Sequence, residues 1–231
     1  MSYQPSDPDA SPVNPLPVAV VLLALPMILA EIAFIAGTTG LAGGPEAVGW
    51  RLAAIERFGF FSPVVEWMAS TGRWNAPDLA RFVTYPFLHW GFTHMLMVLV
   101  FLLALGKMVG EVMGSLAVFI VFFGSAVFGA GIYALLTEAQ NPLIGGYPGV
   151  YGLIGAYSFI LWTHYSVTGG PQARAFTLIA ALLFIQLVFG LLFGKGPDWI
   201  ADVAGFVAGF VLSFVVVPGG WARLINRLRQ R

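Results

Sequence analysis

Six apolar runs divide this chain, at 18–36, 93–112, 116–137, 149–166, 174–194 and 199–217. Crossing the hydrocarbon of a bilayer takes roughly 20 apolar residues in helical form. Only helices or closed barrels satisfy the backbone there. The pattern therefore predicts an all-α polytopic membrane protein, with six helices packed as one unit over 18–217. No long internal repeat relates its halves, so a transporter built from inverted repeats is not expected.

The polar breaks are uneven. A connection at about 37–90 separates the first two runs and is far longer than any other. Within it, "PEAVGWRLAAIERFGFFSPVVEWMAS" mixes Trp50, Phe58, Phe60, Phe61 and Trp67 with Arg51, Glu56, Arg57 and Glu66. Aromatics interleaved with charges suit helices lying in the headgroup region, so a long interfacial first loop is expected. The segment 1–17, "MSYQPSDPDASPVNPLP", has five prolines and no Lys or Arg; it reads as a disordered tail and lacks the basic start of a secretory signal. The segment 218–231 ends in "WARLINRLRQR" and reads as a basic tail against anionic lipid.

Composition agrees with the pattern. The 231 residues are 58% hydrophobic and 10% charged, against about 25% charged in a typical soluble domain. The formal net charge is zero, which gives no reason to expect a nucleic-acid partner; the bilayer itself is the partner implied. With no cysteine, disulfides, thiolate metal sites and a cysteine nucleophile are excluded. Lys107, Arg174 and the tail arginines fall on one side of the six-helix topology, while the short loops opposite hold only Lys195. By the positive-inside rule both termini are expected in the cytoplasm, and a bacterial inner membrane is the expected location.

Ionisable and strongly polar groups inside membrane helices need an explanation. The candidates are Glu31, His89, His94, Glu111, Gln186 and Asp202. Glu31 is expected to make a polar contact with another helix or to snorkel to the surface. Gln186 is expected to bond to a neighbouring helix, without a functional role.

His89 and His94 stand in "RFVTYPFLHWGFTHMLMVLVFLLALGKMVGEVMGS". Arg81 and Thr84 precede the first histidine, the second follows five residues later, and the run closes in "GKMVGE" with Glu111 and Gly114-Ser115. This stretch resembles the second membrane segment of rhomboid intramembrane serine proteases. The fourth and sixth runs carry the likeness on. In "GGYPGVYGLIGAY", Gly145 and Gly146 lead into a glycine-rich helix as the family's Gly-x-Ser-Gly loop does. "ADVAGFVAGF" places Gly205 and Gly209 as the Gly-x-x-x-Gly seam that follows the family's catalytic histidine.

The resemblance implies a six-helix rhomboid-like bundle with a cavity open to one side, and an intramembrane serine endopeptidase as the family activity. It also implies which parts are replaced. Tyr147 stands at the nucleophile position, Asp202 at the base position, and Val98 where the family often has an oxyanion-binding asparagine. A phenol is a poor acyl-transfer nucleophile, and acyl transfer needs an activated one; a valine donates no hydrogen bond to an oxyanion. The expectation is an inactive pseudoprotease, with Asp202 accepting from Tyr147 or His94, or solvated through the cavity, and with the two residues facing each other across the cavity mouth. The groove between the second and fifth helices, which admits substrate in active relatives, would bind transmembrane segments of client proteins. No cofactor is implied.

Three alternatives remain open at this stage. An active protease with a rearranged site could use Ser125, Ser158 or Ser213. A metal could be held by His89, His94 and Asp202, although a spacing of five does not put two ligands on one helix face. A small proton-conducting channel could use Glu31, Asp202 and the histidines.

Overall fold

The computed structural model describes residues 15–138, 140–193 and 196–218. Most of the 1–17 tail, the arginine-rich 221–231 segment and Lys195 lie outside the described residues. All the major elements are helical. They are α1 (Val18–Thr38), α2 (Trp50–Phe58), α3 (Ser62–Thr71), α4 (Ala76–Thr84), α5 (Phe92–Met113), α6 (Ser115–Leu136), α7 (Tyr147–Thr168), α8 (Thr177–Phe193) and α9 (Trp199–Val216), with short 3-10 turns at Pro45–Gly49, Tyr85–Phe87 and Gln172–Phe176.

Five of the six predicted runs appear among the described residues as helices long and apolar enough to cross a membrane. The other, α7, has 22 residues but carries glycines, tyrosines and a proline among its apolar residues. Its position explains its composition. Residues Pro148 to Ala156 are buried without a break, because α5, α6 and α9 enclose the helix and spare it from facing lipid. A helix surrounded by other helices can spend its positions on small residues that admit close approach.

That close approach is most developed between α7 and α9, which share the most extensive helix–helix contact. A β-carbon on Gly205 would collide with the Pro148 carbonyl, and one on Gly209 with the Gly152 carbonyl. From the other side, Gly155 meets the Phe206 backbone in the same way. The seam read from the sequence is thus where two backbones touch. Of the glycines on α6, Gly129 lies against the Ala201 carbonyl, whereas Gly131 faces open space. The turn from α5 to α6 is a single residue, Gly114, at φ 89°, a conformation that disfavours any side chain.

The opposite case is α8. Only 11% of its membrane window is buried, against 39–44% in the other four. Its Phe184, Leu187, Leu191 and Leu192 are exposed. It is the most loosely held wall of the bundle.

The long first connection folds into α2, α3 and α4, and two of its expected surface residues turn inward. Phe60 is fully buried. It pairs its backbone with Leu143 through two hydrogen bonds of 3.2 and 2.8 Å, and its ring meets those of Phe82 and Tyr85. Arg51 reaches α1 and makes a two-pronged pair with Glu31, both bonds 2.8 Å. Glu31 is 3% exposed, so it makes a polar contact to another helix and does not snorkel. Trp50, Phe58 and Trp67 do lie exposed, as expected of this loop.

Candidate functional site

A cavity of about 1030 Å³ lies among α5, α7, α8 and α9. His94, Tyr147, Tyr151, Gln186, Asp198 and Asp202 supply its polar wall. Leu182, Leu183, Ile185 and Leu187 of α8 supply much of the apolar one.

His89 lies in the coil before α5, and His94 is in the first turn of that helix. The two rings meet edge to face at 5.1 Å. His94 then stacks on Tyr147 with ring centroids 5.3 Å apart and planes 19° from parallel. The Trp90 backbone N–H donates a long bond, 3.4 Å, to His94 Nδ1. An accepting Nδ1 leaves the imidazole proton on Nε2, the atom that lies against Gly145. Gly145 itself has φ 98°, and a β-carbon there would sit 2.6 Å from His94 Nε2. Only glycine fits both the backbone angle and the space. Next to it, a β-carbon on Gly146 would meet Val98 at 2.8 Å.

His89 is 2% exposed, and its Nε2 has no hydrogen-bond partner. Burial, followed by the charges of His94 and Arg51, lowers its pKa to about 3, against a smaller opposing effect of a bond to the Phe87 backbone. It is a neutral ring at physiological pH.

Asp202 occupies the first turn of α9 and is 5% exposed. The Gln186 side-chain amide on α8 donates to its Oδ2 at 2.8 Å. The sequence led us to expect a bond from Gln186 to a neighbouring helix, and it makes one; which partner depends on the face that α8 turns to α9, and the otherwise apolar composition of α8 does not reveal that. Tyr147 and Asp202 line the same cavity.

The remaining motif residues sit around this centre. Arg81 donates to the carbonyls of Glu56 and Gly59, each at 2.9 Å, and to Asp78 at 3.1 Å; it ties α4 to the end of α2. Arg51 Nη1 also donates to the His89 carbonyl at 2.8 Å. That makes Arg51 a second positioning residue missed in the sequence, because its carboxylate partner lies on a different helix. Glu111 lies 3.9 Å from Lys107, one turn away on α5.

The chemistry open to this arrangement is narrow. The cavity holds two phenols, an imidazole, an amide and two carboxyl groups, and Val98 adds no donor where it meets Gly146. Ser125, Ser158 and Ser213 are each fully buried, and none lines the cavity. Ser213 is engaged with the Gly209 carbonyl at 2.7 Å. Among the described residues, no three of His, Asp and Glu converge as metal ligands, so the two histidines and Asp202 do not assemble the metal set considered above.

A family model described as Rhomboid domain matches residues 76–219, from the start of α4 through α9. The chain is also 30% identical over 140 residues to RHOMBOID-like protein 4 of Arabidopsis thaliana. That similarity spans 59% of this chain and 34% of the relative, about a third of its length. On the match to its domain, and with the bundle that the sequence motifs led us to expect, this chain belongs to the rhomboid family.

Proposed function

We propose that this rhomboid-family membrane protein does not cleave peptide bonds and instead binds transmembrane segments of client proteins. The observation that carries the reading is the Tyr147 ring at the start of α7, stacked on His94. By the sequence resemblance Tyr147 would take the place of the family's serine, and Asp202, which accepts from Gln186, that of its base. A general base must reach the proton that it abstracts, and the carboxylate here is held toward α8.

The loosely held α8 supports the binding half of the proposal. A wall with little buried surface and a large cavity behind it suits the lateral entry of an apolar segment. The exposed aromatics and short helices of the first loop fit the headgroup zone, and both termini would face the cytoplasm.

Two measurements on the full chain in proteoliposomes test the reading. A fluorophosphonate probe together with a permissive transmembrane substrate should give neither labelling nor cleavage; clear labelling of any serine overturns the loss of activity. A photoreactive residue replacing Phe184 on α8 should crosslink to membrane-embedded segments of other proteins; crosslinks to lipid alone overturn client binding.

A further inference from the structure

Glu31 and Arg51 precede the stretch matched as a rhomboid domain, residues 76–219, yet they are built against the candidate site. Arg51 Nη2 donates to Glu31 Oε1 at 2.8 Å. Its Nη1 donates both to Glu31 Oε2 and to the His89 carbonyl, again at 2.8 Å each. The guanidinium also lies over the Phe34 ring of α1, 4.9 Å from its centre. A rigid planar fork engaged by three oxygens and a ring has little freedom left.

The His89 carbonyl is one end of a peptide unit whose other end is the Trp90 N–H. The unit is close to planar, so whatever fixes the direction of the carbonyl fixes the direction of the N–H. That N–H donates to His94 Nδ1 at 3.4 Å. A cation bonded to the carbonyl polarises the unit and makes its N–H a stronger donor, which matters for so long a bond. The proton on a neutral imidazole goes to the nitrogen that is not accepting. For His94 that is Nε2, on the side of Gly145.

Apolar packing holds the same assembly from the same side. Ile55, one turn after Arg51 on α2, shares a buried cluster with Phe34, Leu88 and Ile144. Leu88 precedes His89 and Ile144 precedes Gly145. One face of α2 therefore bears on both of the coils that bring His94 and Tyr147 together.

We infer that Arg51, held by Glu31, is a positioning residue for His94: acting through the His89–Trp90 peptide, it sets the tautomer of that imidazole and its stack on Tyr147 in the cavity wall. This role goes beyond client binding and does not depend on what the cavity takes.

The experiment uses the full chain in detergent micelles, with isotope-labelled histidine and nuclear magnetic resonance at a pH where imidazole is neutral. The chain has three histidines, and His164→Gln and His94→Gln identify their signals. Wild-type His94 should carry its proton on Nε2, and its ring protons should be shielded by the Tyr147 ring. Tyr147→Leu marks where those protons resonate without the stack. Glu31→Leu/Arg51→Met removes the donor to the His89 carbonyl without leaving a buried charge behind. It should give a mixture of the two His94 tautomers and move the ring protons most of the way to their position in Tyr147→Leu. Glu31→Gln keeps Arg51 and its bond to the carbonyl, so it should lower the unfolding temperature while leaving the His94 signals as in the wild type.

A purely structural role would make the His94 signals follow stability in both variants, and that result overturns the inference. So does a folded Glu31→Leu/Arg51→Met protein in which His94 keeps its tautomer and its shielding, or a wild-type His94 with its proton on Nδ1. If the double variant does not elute as folded protein, Arg51→Lys gives the same reading. Its single ammonium keeps the charge pair with Glu31 but has no fork to hold the carbonyl as well, so it should also mix the tautomers, and an unchanged His94 there overturns the role.

Discussion

The Gln186 amide on α8 donates to the Asp202 carboxylate on α9 across 2.8 Å, joining the least buried wall of the bundle to the helix that packs most extensively on α7. Membrane helices gain little from hydrophobic burial against one another, since lipid is equally apolar, so polar ties and close packing carry more of the association. The main chain of α8 makes few contacts with α7, which leaves this hydrogen bond a large share in holding the wall shut.

Gln186→Leu should therefore loosen α8 more than it destabilises the protein. The expected stability loss is about 1–3 kcal/mol, the range for removing one partner of a buried hydrogen bond. The chain has no cysteine, so Leu183→Cys provides a unique thiol on the cavity wall. Its reaction with a water-soluble maleimide should accelerate several-fold in the Gln186→Leu background; an unchanged rate would show that packing alone closes α8.

Glu31 and Arg51 pose a sharper energetic question. The carboxylate is 3% exposed and the guanidinium 18%, so removing either partner leaves a largely buried charge. Arg51→Met leaves the Glu31 carboxylate buried without its partner and should cost about 3–5 kcal/mol, the range for a broken buried pair. The double variant Glu31→Leu/Arg51→Met should recover part of that loss. Denaturant unfolding in detergent checks both, and a double variant worse than the single one would refute the account.

Packing at the α7–α9 seam predicts opposite outcomes for the same substitution. Gly209→Ala places a methyl against the Gly152 carbonyl, which is backbone and cannot swing away, so a loss of about 1–3 kcal/mol is expected. Gly131→Ala meets nothing within 4 Å, and removing a glycine from a helix interior should make it neutral or stabilising by up to about 1 kcal/mol. Thermal unfolding of the two variants side by side decides the point.

His89 makes stability depend on pH in a defined window. Its pKa is lowered from 6.5 to about 3 in the folded protein, so between those values the unfolded chain binds a proton that the folded one refuses. Stability from this group is complete above about pH 6.5 and is lost as pH falls toward 3, with a slope of about 1.4 kcal/mol per pH unit at most. His89→Phe should flatten the slope; an equally steep profile in that variant would assign it to another group.

The parts legible in the sequence were those written in local pattern. Apolar runs marked the spans, and the glycines at 145, 146, 205 and 209 marked where backbones crowd a ring or one another. Pro148 sits in the first turn of α7, where its missing N–H leaves no intrahelical bond unmade. What escaped was whatever depends on two distant segments meeting. Phe60 looks like an interfacial aromatic until Leu143 pairs with its backbone. Arg51 looks like a headgroup contact until Glu31 faces it from α1. Gln186 looks like one polar residue in an apolar helix until α9 brings Asp202 opposite. In each case residue type was informative about cost, and only the tertiary arrangement identified the partner that offsets it.

On the proposal that Tyr147 and Asp202 replace a serine and a histidine, installing those residues tests how much of a protease site the scaffold supports. Tyr147→Ser alone should stay inactive, because Asp202 remains tied to Gln186 and cannot shuttle a proton as an imidazole does near neutral pH. Tyr147→Ser with Asp202→His supplies nucleophile and base, yet Val98 still gives the developing oxyanion no donor. Val98 is fully buried and faces Gly146, the residue before Tyr147, so Val98→Asn would bring an amide to that neighbourhood at some loss of stability. One such donor is worth about 10²–10³ in rate. The triple variant should therefore react with a fluorophosphonate about that much faster than the double one, provided both elute as folded protein. If the triple variant is folded and no faster, the cavity has lost the shape as well as the groups, and the kinship between Tyr147 and a serine nucleophile would be one of sequence position alone.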